Sequence, residues 1–336
     1  MKKLLSVFVI PVLVLCLLAG CGSAPSQSAP SAPKLRIVTT IFPIYDWVVN
    51  VLGEQTAAAE VTMLLDNGVD LHSYQPTADD IIRISDCDLF IYVGGESDEW
   101  VADALQEATN KNMAVINLMD VLGDRVKEEE IVEGMEHDHD HEEDHDHEEE
   151  HSHDQEEVEY DEHVWLSLKN TAVLCRAIAD SLGKIDRENA ALYTANADAY
   201  IEKLNTLDAQ YQAAVSAAAN HTLLFGDRFP FRYLADDYGL DYYAAFVGCS
   251  AETEASFETI IFLANKLDEL GLPAVLQIES ADGSIARTVV ENTQSKDQQI
   301  LTMDSMQSTT SKDVENGTTY LSVMENNLSV LKEALK

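Results

Sequence analysis

The sequence is poor in positive charge. Its 336 residues include 21 lysines and arginines against 60 aspartates and glutamates, a formal net charge of −39. Nucleic acid and anionic lipid headgroups repel such a chain, so we expect neither as a binding partner, whereas cations are attracted. Only one long apolar run is present, which excludes a polytopic membrane protein. A hydrophobic content of 46% is ordinary for a globular protein and excludes general disorder.

Motifs for structural zinc, thiol redox chemistry and zinc-dependent hydrolysis are also missing. The five cysteines form no CxxC pair, which argues against the first two kinds of site. Cys87 and Cys175 stand in apolar contexts and are predicted to be buried thiols. A secreted zinc hydrolase is the alternative from another class, but it needs a zinc-bound water and a general base, and no HExxH motif is present. We therefore expect no enzyme activity.

The N-terminus has the pattern of an export signal. Two lysines precede an apolar run over residues 4–19, which is shorter than a membrane-spanning helix requires. The run ends in Leu18-Ala19-Gly20-Cys21, which resembles the bacterial lipoprotein box. We predict a signal peptide over 1–20, acyl groups on Cys21 that anchor the protein in the bilayer, and a Ser/Ala/Pro tether over 21–33.

This reading places the protein at the extracytoplasmic face of the bacterial cell membrane, held there by lipid. A plain signal peptide or an uncleaved anchor is the alternative interpretation of the same residues.

Short apolar runs alternate with helical stretches on both sides of one long predicted helix. The alternation predicts parallel sheets covered by helices. Some 30 residues without proline or glycine, from Glu188, predict a helix of about 45 Å. The fold class is therefore α/β, with two (β/α) lobes of mostly parallel sheet joined by one long helix. We place the N-terminal lobe at 34–186, the linking helix at 187–219 and the C-terminal lobe at 220–336.

An acidic segment, roughly 124–160, interrupts the N-terminal lobe and has no hydrophobic period, so we predict a mobile loop. Residues 128–162 contain 20 acids, no lysine or arginine, and seven of the ten histidines. Imidazoles interleaved with carboxylates bind divalent cations such as Zn²⁺, and a flexible loop should offer several weak, exchangeable sites. A purely solvated acidic linker is the alternative. The histidines are His137, His139, His141, His145, His147, His151 and His153.

Two further histidines lie at boundaries between predicted elements. His72 follows a strand and precedes a helix, and His163 stands at a comparable position after the acidic segment. Ligand sites in open α/β sheets gather beyond the carboxyl ends of the strands. Each histidine alone would be an ordinary polar residue, but two at equivalent positions beside a histidine-rich loop indicate a metal site.

Four stretches carry a specific resemblance, spread over nearly the whole mature chain. They are VDLHSYQPTADDI, CDLFIYVGGESDEW, DEHVWLSLKN and RYLADDYGL. Together they resemble the zinc and manganese solute-binding lipoproteins of ABC transporters, the cluster A-I family. The lipoprotein box, the long linking helix and the acidic histidine loop are similar to its zinc-importing members.

The resemblance implies a metal held in a cleft between the lobes by four ligands. The first two map onto His72 and His163. The third, a histidine or glutamate at the start of a helix, falls at Arg228, which has no acceptor atom for a cation. Asp227 is our substitute, and Glu279, after a later strand, is the fourth ligand.

Alternatives to these acids stay open. Asp227 would otherwise pair with Arg228 or cap a helix, and Glu279 would otherwise cap the next helix. The second-tier candidates are Asp282, His221, Glu252, Glu254 and Cys249.

The expected metal is Zn²⁺ rather than Mn²⁺, because Mn²⁺ stands at the weak end of the divalent affinity order and the histidine-rich loop suits zinc. The resemblance implies a monomeric solute-binding protein that captures zinc and delivers it to an ABC permease subunit in the membrane. A manganese-specific protein of the same type, a surface zinc buffer without a transporter and an adhesin are alternatives.

Overall fold

Two four-stranded parallel sheets form the framework of the described chain. The computed structural model describes residues 34–135, 159–250 and 254–336. The predicted signal peptide, the tether, Cys21, the seven loop histidines and Glu252 lie outside these residues. Within the described ranges the strands are β1 Leu35–Thr39, β2 Ala59–Met63, β3 Leu89–Tyr92, β4 Ala114–Asn117, β5 Thr222–Phe229, β6 Asp241–Val247, β7 Ala274–Ile278 and β8 Gln299–Met303.

The first sheet has the strand order β2-β1-β3-β4, with every pair parallel. Its central strands are continuous apolar runs because helices cover both faces, and Ile37, Leu89 and Ile91 are fully buried. The chain leaves β1 toward one side of the sheet and returns to β3 on the other, so a crevice forms beyond their carboxyl ends.

The second sheet repeats this arrangement with the order β6-β5-β7-β8, again all parallel. The predicted α/β class with two parallel-sheet lobes is confirmed. Strand β5 continues beyond Phe225, because it resumes pairing with β6 at Arg228 and Phe229 after an irregularity.

Helices connect and cover the strands, and most begin at a residue whose side chain caps the first turn. Thr77, for example, forms a reciprocal capping box with Asp80. In the described residues the helices are α1 Phe42–Leu52, α2 Ala78–Asp86, α3 Trp100–Gln106, α4 Leu118–Leu122, α5 Leu168–Ile185, α6 Ala190–Ala217, α7 Arg232–Tyr238, α8 Phe257–Leu270, α9 Ser284–Glu291, α10 Ser311–Glu315 and α11 Tyr320–Ala334.

Helix α6 is the long helix, with 28 residues and a length of about 42 Å. Its buried side chains recur every three or four residues and pack against α1, α5 and α11. Two buried tyrosines anchor it: Tyr200 donates to Asp46 of α1 (3.0 Å), and Tyr211 donates to the carbonyl of Met324 in α11 (2.6 Å). The helix therefore holds elements from both halves of the chain.

The main hydrophobic core runs continuously from the first sheet to the second. Trp165 stands at the junction, where its indole N–H donates to the carbonyl of Ser305 (2.9 Å) and its own carbonyl accepts from the Tyr320 hydroxyl (2.7 Å). A smaller core lies beneath α8 and α9. In the part of the chain that the structure describes, no helix is long and apolar enough to cross a membrane.

Candidate metal centre

His72 lies beyond the carboxyl end of β2, in a short turn that Asp70 caps by accepting the His72 backbone N–H (3.0 Å). Its Nδ1 atom lies 2.8 Å from the Ser97 hydroxyl and 3.4 Å from a carboxylate oxygen of Glu162. Because a carboxylate only accepts, these neighbours favour a proton on Nδ1. The Nε2 atom then carries a free lone pair.

His163 is fully buried just before the turn Val164–Leu166. One oxygen of Asp161 accepts both the backbone N–H of His163 (2.8 Å) and its Nδ1–H (3.0 Å). The carboxylate thus fixes the tautomer and leaves the Nε2 lone pair free, as in the carboxylate–histidine–metal arrangements of known zinc proteins.

The two Nε2 atoms face each other at 3.2 Å. Two lone pairs at this distance repel unless a proton or a metal ion lies between them. Two nitrogen ligands on one tetrahedral zinc, each about 2.0–2.1 Å from the ion, stand roughly 3.3 Å apart. The geometry therefore suits a shared divalent cation.

Cys249 completes the one group of three or more metal-ligating side chains in the described residues, with His72 and His163. One ligand atom from each lies within 4.8 Å of the others. Cys249 follows β6, and its backbone N–H donates to Glu129 (3.1 Å). Glycine is required just before it: a Cβ on Gly248 would lie 2.9 Å from the carbonyl of Phe229 and 3.1 Å from the His163 ring.

A cavity of about 260 Å³ opens beside His72 and Cys249. Four glutamates line it, together with Ser97 and Tyr160: Glu96, Glu129, Glu159 and Glu162. Burial, followed by the charges of Glu159 and Glu162, raises the pKa of Glu96. Burial, followed by the charges of Asp161 and Glu129, raises the pKa of the Cys249 thiol. The cavity is therefore strongly attractive to a cation.

Two of these glutamates belong to segments that flank the acidic loop. Glu129 donates its backbone N–H to the carbonyl of Glu159 (2.9 Å), and Glu128 pairs with Tyr160 in an antiparallel bridge. In 124–135, part of the segment predicted as a loop, Met135 is buried, whereas Glu128 and Glu130 are exposed.

Asp227 lies inside β5, and the next helix, α7, begins only at Arg232. One of its oxygens accepts the N–H of Ile278 (3.0 Å) and the other accepts the N–H of Arg228 (2.9 Å). The first bond ties β5 to β7 where the two strands diverge. Asp227 is not in the group of ligand atoms formed by the described histidines and Cys249.

Glu279 is likewise engaged elsewhere. Its two oxygens accept the N–H and hydroxyl of Ser305 (2.7 and 3.0 Å) and the N–H of Gln307 (3.1 Å). The carboxylate fastens the segment after β8 to the end of β7. The structure therefore brings His72 and His163 together, but it does not assemble them with Asp227 and Glu279.

Three of the second-tier candidates, Asp282, His221 and Glu254, lie apart from this group in the described chain, whereas Cys249 belongs to it. Asp282 is exposed, and hydrogen bonds from the Ser284 side chain and from the Ser284 backbone N–H (2.7 Å) lower its pKa. His221 immediately precedes β5, at its amino end, and is exposed. Glu254 is exposed ahead of α8.

Arg228, at the position that the resemblance assigns to the third ligand, forms an ion pair with Asp70. It also donates to the carbonyl of Ser250 (3.3 Å). Asp70 places its other oxygen 4.0 Å from the Nε2 atom of His72. The guanidinium therefore connects β5 to the loop that carries His72 and to the loop that carries Cys249.

The profile of ZnuA, the periplasmic component A of the zinc-uptake complex, matches residues 37–334. The chain belongs to this family. The relatives of the ZnuA family include the zinc-binding protein AdcA of Streptococcus pyogenes, which is 31% identical over 89% of this chain and 56% of its own length. The chain thus spans about half the length of that relative.

Another ZnuA-family relative matches from end to end. The high-affinity zinc uptake system protein ZnuA of Bacillus subtilis is 29% identical over 99% of this chain and 98% of its own length. Among solved structures, the Zn(II)-bound ZnuA-like domain of Streptococcus pneumoniae AdcA has a TM-score of 0.68 at 28% identity, covering 90% of this chain and 99% of that domain.

From the sequence, Cys249 is only a second-tier candidate ligand, and Ser97, Asp161 and Glu162 are not predicted to belong to the site. The acids directly before His163 were a local signal for the last two. No local sequence pattern indicates that the loop carrying Cys249, more than 80 residues later, contacts the imidazole of His163.

Proposed function

We propose that this protein is a zinc-binding lipoprotein that captures Zn²⁺ between its two lobes and delivers it to an ABC permease for import. The observation that carries the proposal is the pair of opposed Nε2 atoms of His72 and His163, 3.2 Å apart. Their Nδ1 atoms are held by oxygen neighbours, so both rings present lone pairs to one point.

The relatives support zinc as the transported ion. AdcA is named a zinc-binding protein and ZnuA a zinc uptake protein, and the similar AdcA domain has been solved with Zn(II) bound. Imidazole nitrogens suit zinc better than manganese, because Mn²⁺ binds most weakly in the divalent series.

The route of zinc follows from the charge distribution. The seven loop histidines gather Zn²⁺ at weak sites, and the glutamate-lined cavity draws the ion toward His72. Acyl groups on Cys21 hold the protein at the extracytoplasmic face of the membrane, within reach of the permease. The protein acts as a monomer that binds and releases the ion without chemical conversion.

Calorimetry tests the zinc site directly. The double variant H72A/H163A should lose at least a hundredfold in zinc affinity at the tightest site, because both imidazole ligands are removed. H221A is the matched control, since it removes an exposed histidine at the far end of β5. Unchanged affinity in the double variant would disprove the proposed site.

A surface zinc buffer is the second candidate, because the same ligands would serve it. Zinc uptake by cells that lack the chromosomal copy separates the two functions. Restoration of uptake by the wild-type chain but not by H72A/H163A supports delivery to a permease, and restored zinc tolerance without uptake supports the buffer.

A further inference from the structure

The two histidines by themselves do not account for a protein zinc site. Zinc sites in proteins use at least three protein ligands in a tetrahedral arrangement. Both histidines come from the N-terminal half of the chain, so a ligand from the C-terminal half is also needed to join the lobes through the metal. Arg228 offers no acceptor atom. Asp227 and Glu279 accept backbone N–H groups, and neither belongs to the group of ligand atoms that contains the two imidazoles.

Cys249, which belongs to the C-terminal half of the chain, can supply the third ligand. Its sulfur is the one additional ligand atom in the described chain that lies within 4.8 Å of both imidazoles. Nitrogen and sulfur ligands on one tetrahedral zinc stand roughly 3.5 Å apart. A small movement of Sγ toward the imidazoles therefore brings the sulfur into bonding distance of a shared ion.

The backbone around this cysteine is fixed on both sides. Glu129 accepts the Cys249 N–H, and Arg228 donates to the carbonyl of the next residue, Ser250. Gly248 lets the turn lie against the His163 ring, because an added Cβ would stand 2.9 Å from the carbonyl oxygen of Phe229 and 3.1 Å from a ring carbon of His163. Three contacts from three separate segments thus hold the turn that carries Cys249 beside the two imidazoles.

We propose that Cys249 is the third ligand of the transported zinc, in an N₂S set with His72 and His163. The inference rests on the proposed function, and it deepens that function by assigning the ligand that Arg228 cannot be. On binding, a sulfur–zinc bond forms, the S–H bond breaks and its proton passes to solvent. The adjoining cavity gives solvent access to the fourth coordination position.

A thiolate ligand also determines which ions the site accepts. Sulfur is a soft donor that favours Zn²⁺ and Cd²⁺, whereas Mn²⁺ prefers carboxylate, carbonyl and water oxygens. Arg228 then has a positioning role: it pairs with Asp70 and braces the loop that carries the cysteine. The site should therefore bind zinc and exclude manganese.

Cobalt substitution tests the ligand without interference from the histidine-rich loop. The full chain is reduced, loaded with Co²⁺ and examined for the thiolate-to-cobalt charge-transfer absorption, which imidazoles and carboxylates do not produce. We expect the band in the wild type and its loss in Cys249→Ser. Cys87→Ser and Cys21→Ser are controls that should keep the band. Its absence from the wild type, or its persistence in Cys249→Ser, overturns the assignment.

Zinc affinity provides the second measurement. Cys249→Ser should bind zinc at least tenfold more weakly, and its preference for zinc over manganese should fall by a similar factor. Loss of zinc binding in H72A/H163A together with unchanged affinity and selectivity in Cys249→Ser would reject the cysteine and keep the proposed function. Full zinc affinity in H72A/H163A would reject the proposed function itself.

Discussion

His163 and Asp161 are joined twice: one carboxylate oxygen accepts the backbone N–H at 2.8 Å and the ring Nδ1–H at 3.0 Å. The carboxylate therefore fixes both the turn and the tautomer of the histidine two residues later. The side chains of His163 and Asp161 are both buried, so water does not compete for either hydrogen bond.

Replacing Asp161 with asparagine should weaken zinc binding by about 10–100-fold, because the amide no longer enforces a proton on Nδ1 or raises the basicity of Nε2. Competition with a chromogenic zinc chelator measures the affinity. Asp198→Asn, which changes an exposed acid on α6, is the control. Equal affinity in the two variants would show that Asp161 only shapes the turn.

Gly248→Ala should displace either the His163 ring or the turn before Cys249. The new Cβ would lie 2.9 Å from a backbone oxygen and 3.1 Å from a ring carbon, both closer than ordinary contacts. We expect at least a tenfold loss of zinc affinity, measured by calorimetry, with the far-ultraviolet circular dichroism unchanged. Wild-type affinity would mean that the turn yields without moving either ligand.

The ion pair of Arg228 and Asp70 should stabilise the protein. Both side chains are largely buried, so Arg228→Gln leaves a carboxylate with little solvent and should lower the free energy of unfolding by about 1–3 kcal/mol. Arg176→Gln breaks an exposed ion pair and should cost less than about 1 kcal/mol. Urea titration of the metal-free protein compares them, and equal losses would contradict the structural role.

Asp98 should make stability depend on pH. Burial raises its pKa from 3.8 to about 7, although its Oδ2 atom accepts the N–H groups of Val93 and Gly94. The folded state then holds a proton that the unfolded state releases, so this contribution is present below about pH 4 and is lost as pH rises through 7.

Asp98→Asn keeps the accepting oxygen and places a neutral NH₂ where the unpartnered Oδ1 now lies. Above pH 7 it should be more stable than the wild type by up to about 4 kcal/mol, and the gain should vanish near pH 4. Urea titrations at pH 4, 6 and 8 measure this. A difference that does not change with pH would contradict the raised pKa.

Much of the fold could be predicted from local pattern. The apolar strands of both sheets and the 3.6-residue period of α6 are local properties, because burial on both faces or on one stripe imposes them directly. The end of β5 could not be predicted. Asp227 and Arg228 have the polar character of a loop in the sequence. Only the pairing of Arg228 with β6 and the bond from Ile278 to Asp227 show that β5 continues through them.

The sequence by itself determined the two-lobed α/β class, the His72 and His163 motifs and an excess of negative charge that favours cations. Only the tertiary structure shows the contacts of the acids. Asp227 and Glu279 accept backbone N–H groups at strand ends and in loops, where these N–H groups have no partner in a sheet or helix. The tertiary structure also decided that Cys249 meets the two histidines. Contacts between residues so distant in sequence arise from the packing of whole lobes. A local sequence pattern does not predict such packing.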